Sequence, residues 1–98
     1  MCEMTLTNML VEEYRRLANL KALYWTHDLT HIKVTLQSGA SSTLSLRRVY
    51  KEVMRLLEAE QKAFECAGQY YGDPVYWDRY EATCNRIEFF EIAFGEEI

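Results

Sequence analysis

The sequence predicts a mainly α (α+β) fold, in the order helix, short β-hairpin, long helix, antiparallel C-terminal helix. Three observations carry this expectation. Apolar residues recur at helical spacing over three stretches and alternate with period two over one. The 98 residues contain one proline and four glycines, too few breakers for a loop-rich scaffold. The triplet Gly72-Asp73-Pro74 ends one helix and opens another. A chain of this length suits one core, so residues 1–98 read as a single small globular domain.

The first helix is expected over residues 5–25. Leu6, Leu10, Tyr14, Leu17 and Tyr24, bordered by Ala18 and Trp25, fall on one face, and Glu12, Arg15, Arg16 and Asn19 on the other. Residues 30–46 then read as a hairpin or a loop. Ile32-Lys33-Val34-Thr35-Leu36 and Ser42-Thr43-Leu44-Ser45-Leu46 alternate around a turn at Gly39, with a loop over Ser38–Ser45 as the alternative. Two strands alone are marginal, so a hairpin here must pack on helices or pair with another chain. A helical hairpin over 46–94 completes the chain. Its first arm, capped by Ser45, carries the stripe Val49, Tyr50, Val53, Leu56, Leu57, Ala63, Phe64, Ala67, Tyr70 and Tyr71. At about 1.5 Å per residue that arm approaches 40 Å, so it must bend near Gly68 or find a partner. Gly72 ends it, Asp73 caps the next arm, Pro74 stands at its first position and Gly95 closes it. Glu96-Glu97-Ile98 reads as a frayed tail.

Charge and cysteine usage narrow the class of function. Eleven Lys and Arg stand against fifteen Asp and Glu, a net charge of −4, which argues against direct nucleic-acid binding. No apolar run is long enough to span a bilayer, and the amino terminus lacks the pattern of a secretory signal. A cytoplasmic protein is therefore expected. Cys2, Cys66 and Cys84 match no metal or redox spacing and read as free thiols. In an antiparallel hairpin Cys66 and Cys84 differ by roughly 7 Å in axial height, which disfavours a bridge.

Chemistry-bearing patterns are sparse. His27-Asp28-Leu29-Thr30-His31 would put two histidines on one face if helical, an alternative reading as a metal-binding protein; without it they are surface histidines. Ser38, Ser41, Ser42 and Ser45 lie in no nucleophile turn, and no glycine-rich phosphate loop occurs. No enzymatic activity and no cofactor is expected. Glu12, Glu13, Glu52 and Glu58 read as solvated helix faces paired with Arg15, Arg16, Arg48, Arg55 and Lys62, and Arg47-Arg48-Lys51-Arg55 as part of a mixed surface.

The last helix is the informative element. Tyr76, Trp77, Tyr80, Cys84, Ile87, Phe90 and Phe94 make one apolar face, while Val75, Ala82, Phe89 and Ala93 lie nearly opposite and Ile92 falls between. A helix apolar on all sides must be covered on all sides. Tyrosine and tryptophan are also enriched at interfaces, which makes Tyr70, Tyr71, Tyr76, Trp77, Phe89, Ile92 and Phe94 the candidate protein-contact residues. The expected function is that of an acidic, non-enzymatic protein-binding module, an adaptor or inhibitor, phage-encoded or regulatory, homodimerising through this helix. The helix–hairpin–helix order of the first seventy residues is similar to that of small phage head-joining proteins. That resemblance implies a structural component of a phage-type assembly as a further alternative.

Overall fold

The computed structural model describes residues 3–20 and 22–95; Cys2 and the Glu96–Ile98 tail lie outside them. Six elements follow in order: α1 (Glu3–Ala18), β1 (Ala22–His27), β2 (His31–Leu36), β3 (Ser41–Ser45), α2 (Leu46–Tyr71) and α3 (Pro74–Phe94). The mainly helical α+β architecture agrees with the sequence reading. Two compact units divide the chain, Met1–Val53 and Met54–Ile98, with α2 running through the boundary.

In the first unit α1 stops seven residues before the expected end, because Asn19 turns into the left-handed region at φ 50°. Asparagine tolerates that conformation better than most side chains, and Asn19 N–H still donates to Arg15 O at 3.1 Å. Tyr24 and Trp25, expected on the helix, belong instead to an additional strand. The sheet is antiparallel throughout, in the order β1-β2-β3. Trp25 pairs with Val34 and His27 with Ile32, while Ile32 also pairs with Leu44 and Val34 with Ser42. Paired residues share a face, so this register gathers Trp25, His27, Ile32, Val34 and Leu44 on one side. Ile32 and Val34 are buried together with Thr7, Leu10, Val11, Val49 and Val53. Tyr14 meets Trp25 edge-on at 5.9 Å, and the Arg15 guanidinium lies 5.3 Å from the centre of the Trp25 ring. The expected turn between β2 and β3 is present: Gly39 takes φ 91° and its N–H donates to Leu36 O at 3.0 Å.

The helical arms match their expected limits. Ser45 caps α2 by accepting from Arg48 N–H at 3.2 Å, and Asp73 caps α3 by accepting from Val75 N–H at 3.0 Å. Gly72, at φ 69°, donates to Gly68 O at 2.9 Å and closes α2. Within the second unit the two arms touch at Gly68, where a Cβ would lie 2.7 Å from the Trp77 ring. Further along, Gln61 Nε2 donates to Cys84 Sγ at 3.0 Å. Gly68 thus admits an indole against the α2 backbone, and α2 is helical without interruption there. Met54, Leu57, Gly68, Thr83, Phe90 and Phe94 are buried in this unit, with the Thr83 hydroxyl satisfied by Arg79 O at 2.9 Å. Cys66 and Cys84 are free thiols. Among the described residues no helix is long and apolar enough to cross a membrane.

Candidate functional site

The outer side of α3 is the most unusual surface. Thr83, Phe90 and Phe94 are buried, and Tyr76, Tyr80, Cys84 and Ile87 are half-buried, which defines the inner face. The opposite side runs through Val75, Asp78, Ala82, Asn85, Phe89 and Ile92, all exposed. These positions are spaced three, four, three, four and three residues apart, the rhythm of a coiled-coil seam. Ile92 is 74% exposed, Val75 42% and Phe89 36%. Helical geometry then places Arg79 and Arg86 along one edge of this stripe and Glu81 and Glu88 along the other. Val75, Ala82 and Phe89 lie opposite the inner face as the periodicity predicts, whereas Ala93, expected beside them, is half-buried, and Ile92, expected between the faces, is exposed. Asp78, Asn85 and the sorted charged edges escaped the sequence reading, although the three-four spacing was there to be read.

A second group sits at the turn between α2 and α3. Tyr70 is 83% exposed and Tyr71 67%, their rings edge-on at 4.8 Å. Tyr71 stacks on Tyr76 at 5.5 Å. Trp77 meets Tyr80 edge-on at 5.7 Å while covering Gly68, so it serves the packing between helices as well as the surface. Hydrogen bonding to the Cys84 thiol and the charge of that group, followed by burial and Glu65, raise the Tyr80 phenol above its ordinary value. Phe94 differs from the other candidate contacts. It is buried and stacks on Phe90 at 6.1 Å, which makes it part of the interior and removes it from the contact surface.

Charge divides along the chain as well. Residues 1–53 hold seven Lys and Arg against five Asp and Glu, whereas residues 54–98 hold four against ten. The aromatic turn and the outer stripe both belong to the acidic half. The ion pairs Arg15–Glu12, at 3.2 Å, and Arg16–Glu13, through Nε at 3.1 Å, bear out the expected pairing on α1, although Glu13 is half-buried rather than solvated.

The two histidines flank a hairpin turn and share no helical face, which corrects the geometry on which the metal reading depended. His27 pairs across from buried Ile32, and its Nδ1 is buried without a hydrogen-bond partner among the described residues. His31 is exposed on the other side of the sheet. The Asp28 carboxylate holds the turn, accepting from Thr30 N–H at 2.7 Å, Thr30 Oγ1 at 2.9 Å and His31 N–H at 2.8 Å. These bonds, the Thr30 and His31 amides foremost, hold its pKa down at about 2. With the Thr30 proton committed to Asp28, His31 Nδ1–H donates to Thr30 Oγ1 at 2.8 Å. A shallow depression of about 320 Å³ beside them is lined by Thr26, His27, Asp28, His31, Lys33 and Thr43. No group of three or more His, Cys, Asp or Glu among the described residues is placed to hold a metal ion. No family model, curated protein or solved structure matches this chain.

Proposed function

We propose that this chain is a small acidic, non-enzymatic protein-binding module of the cytoplasm, acting as an adaptor or inhibitor and self-associating as a homodimer through α3. The exposed stripe Val75–Ile92 is the observation that carries this reading. α3 is apolar on its inner face and, at Phe89 and Ile92, on its outer face too, and Ile92 is 74% exposed. A side chain of that size gains about 1.5–3 kcal/mol when removed from water. A helix face of this kind is therefore favoured to meet another protein surface. The Tyr70–Tyr71 corner, at the far end of the hairpin from Ile92, supplies separate contact area for a partner. The acidic balance of residues 54–98 favours a partner with a basic surface.

Sedimentation of the intact chain tests the self-association. The wild type is expected to sediment as a dimer at tens of micromolar, roughly the range in which modest interfaces associate. Phe89→Glu and Ile92→Glu are expected to sediment as monomers with unchanged helical circular dichroism. A wild type that stays monomeric across that range overturns the homodimer. For a second protein, affinity capture by the Tyr70→Ala and Tyr71→Ala variants is the cleaner comparison. Replacing Trp77 would also disturb the packing at Gly68.

A further inference from the structure

Resting on the self-association just proposed, we infer that the occupant of the outer α3 stripe is the same stripe of a second copy, with the two helices running parallel and in register. The orientation follows from which residues each arrangement brings together.

In a parallel pair, each position of the seam meets its own counterpart. Phe89 then stacks on Phe89 of the second copy, Ile92 on Ile92 and Val75 on Val75. In the antiparallel register of full overlap the sequence positions reverse, so Phe89 would face Asp78 and Asn85 would face Ala82. The first contact sets a carboxylate against a buried ring, and the second leaves an amide against a methyl group. Parallel pairing instead sets the two Asn85 amides against each other, where each can donate to the other's carbonyl oxygen.

The charged edges select the same orientation. Parallel helices bring the edge preceding the seam on one copy against the edge following it on the other, five residues further along. Glu81 thereby meets Arg86 of the second copy, and by symmetry the reverse contact forms as well. Antiparallel helices would set the Arg79–Arg86 edge against itself and the Glu81–Glu88 edge against itself. The parallel arrangement has one local cost. The two Asp78 carboxylates meet at the amino-terminal end, so the contact is strongest at Phe89 and Ile92.

Charge reversal on the intact chain tests the orientation by sedimentation equilibrium. Glu81→Arg and Arg86→Glu, each alone, convert two attractive pairs into repulsive ones and are expected to raise the dimer dissociation constant roughly tenfold. The double variant restores opposite charges across the seam and is expected to return to within about threefold of wild type. Both positions are exposed, and circular dichroism of each variant checks that the helices persist. A Glu81→Arg variant that dimerises as well as or better than wild type overturns the parallel orientation and leaves the homodimer standing. A double variant that fails to recover overturns the Glu81–Arg86 contact. A wild type that is monomeric throughout removes both the orientation and the reading on which it rests.

Discussion

Gly68 and Trp77 show how one missing side chain can decide a packing geometry. Alanine normally favours an α-helix interior over glycine by about 1 kcal/mol. At position 68, however, a Cβ would lie 2.7 Å from the indole, too close for the ring to remain where it is. Gly68→Ala is therefore expected to lower the thermal midpoint of the wild type. In a Trp77→Ala background the same change is expected to raise stability by about 1 kcal/mol, since only the helical preference remains. Calorimetry of the four proteins reads this reversal of sign, and a destabilising Gly68→Ala in both backgrounds would contradict it. Asp28 permits a second prediction at this scale. Its folded pKa of about 2 lies below the ordinary carboxyl value of 3.8, so its contribution is complete above that value and is lost as pH falls toward 2. Asp28→Asn is expected to lose the acid-side part of the midpoint-versus-pH profile in that window, with little further change above it. An NMR titration of the wild-type carboxyl that gives an ordinary value would contradict the cause assigned here.

At the scale of elements, the caps and the outer stripe of α3 are separable. Asp73→Ala removes an acceptor from the first turn and is expected to cost about 1 kcal/mol of stability. The helix is retained because Pro74 still holds its first position. Asp78→Leu acts in the opposite sense, on association alone. It places an apolar side chain in an exposed seam position and is expected to tighten the dimer roughly tenfold, as read by sedimentation. No change in association there would place the contact away from the amino-terminal half of the stripe. In the sheet, β1 and β3 form the two edges and β2 the centre, and the central strand buries Ile32 and Val34. The polar outer face around His31, Lys33 and Thr43 is consistent with a sheet that is solvated on one side.

For the whole molecule, folding and association are linked. A partner that binds only the folded form adds stability that grows with its concentration. If the second copy is that partner, the thermal midpoint of the wild type rises with protein concentration, whereas the midpoint of Phe89→Glu does not. A concentration-independent wild-type midpoint above the dimer dissociation constant would argue against that linkage. The separation of charge matters here as well. The acidic half carries both proposed contact surfaces, so one chain has room for a second copy on α3 and a basic partner at the Tyr70–Tyr71 corner.

Much of this architecture is legible in local chemistry. The limits of α2 and the start of α3 follow from Ser45, Gly72, Asp73 and Pro74, because capping and left-handed turns are decided within a few residues. The β2–β3 hairpin follows likewise from alternation around Gly39. Strand β1 was hidden because Tyr24 lies seven residues after Leu17, a spacing compatible with the helix that precedes it. Its real partner, Val34 across from Trp25, is distant in sequence, and no local propensity reports such a pairing. The same limit applies to the aromatics. Composition and periodicity determined that α3 is apolar on two sides, but they could not say which phenylalanine was already covered. Tertiary packing decided that, burying Phe90 and Phe94 and leaving Phe89 and Ile92 outside, because burial depends on which surface is near in space.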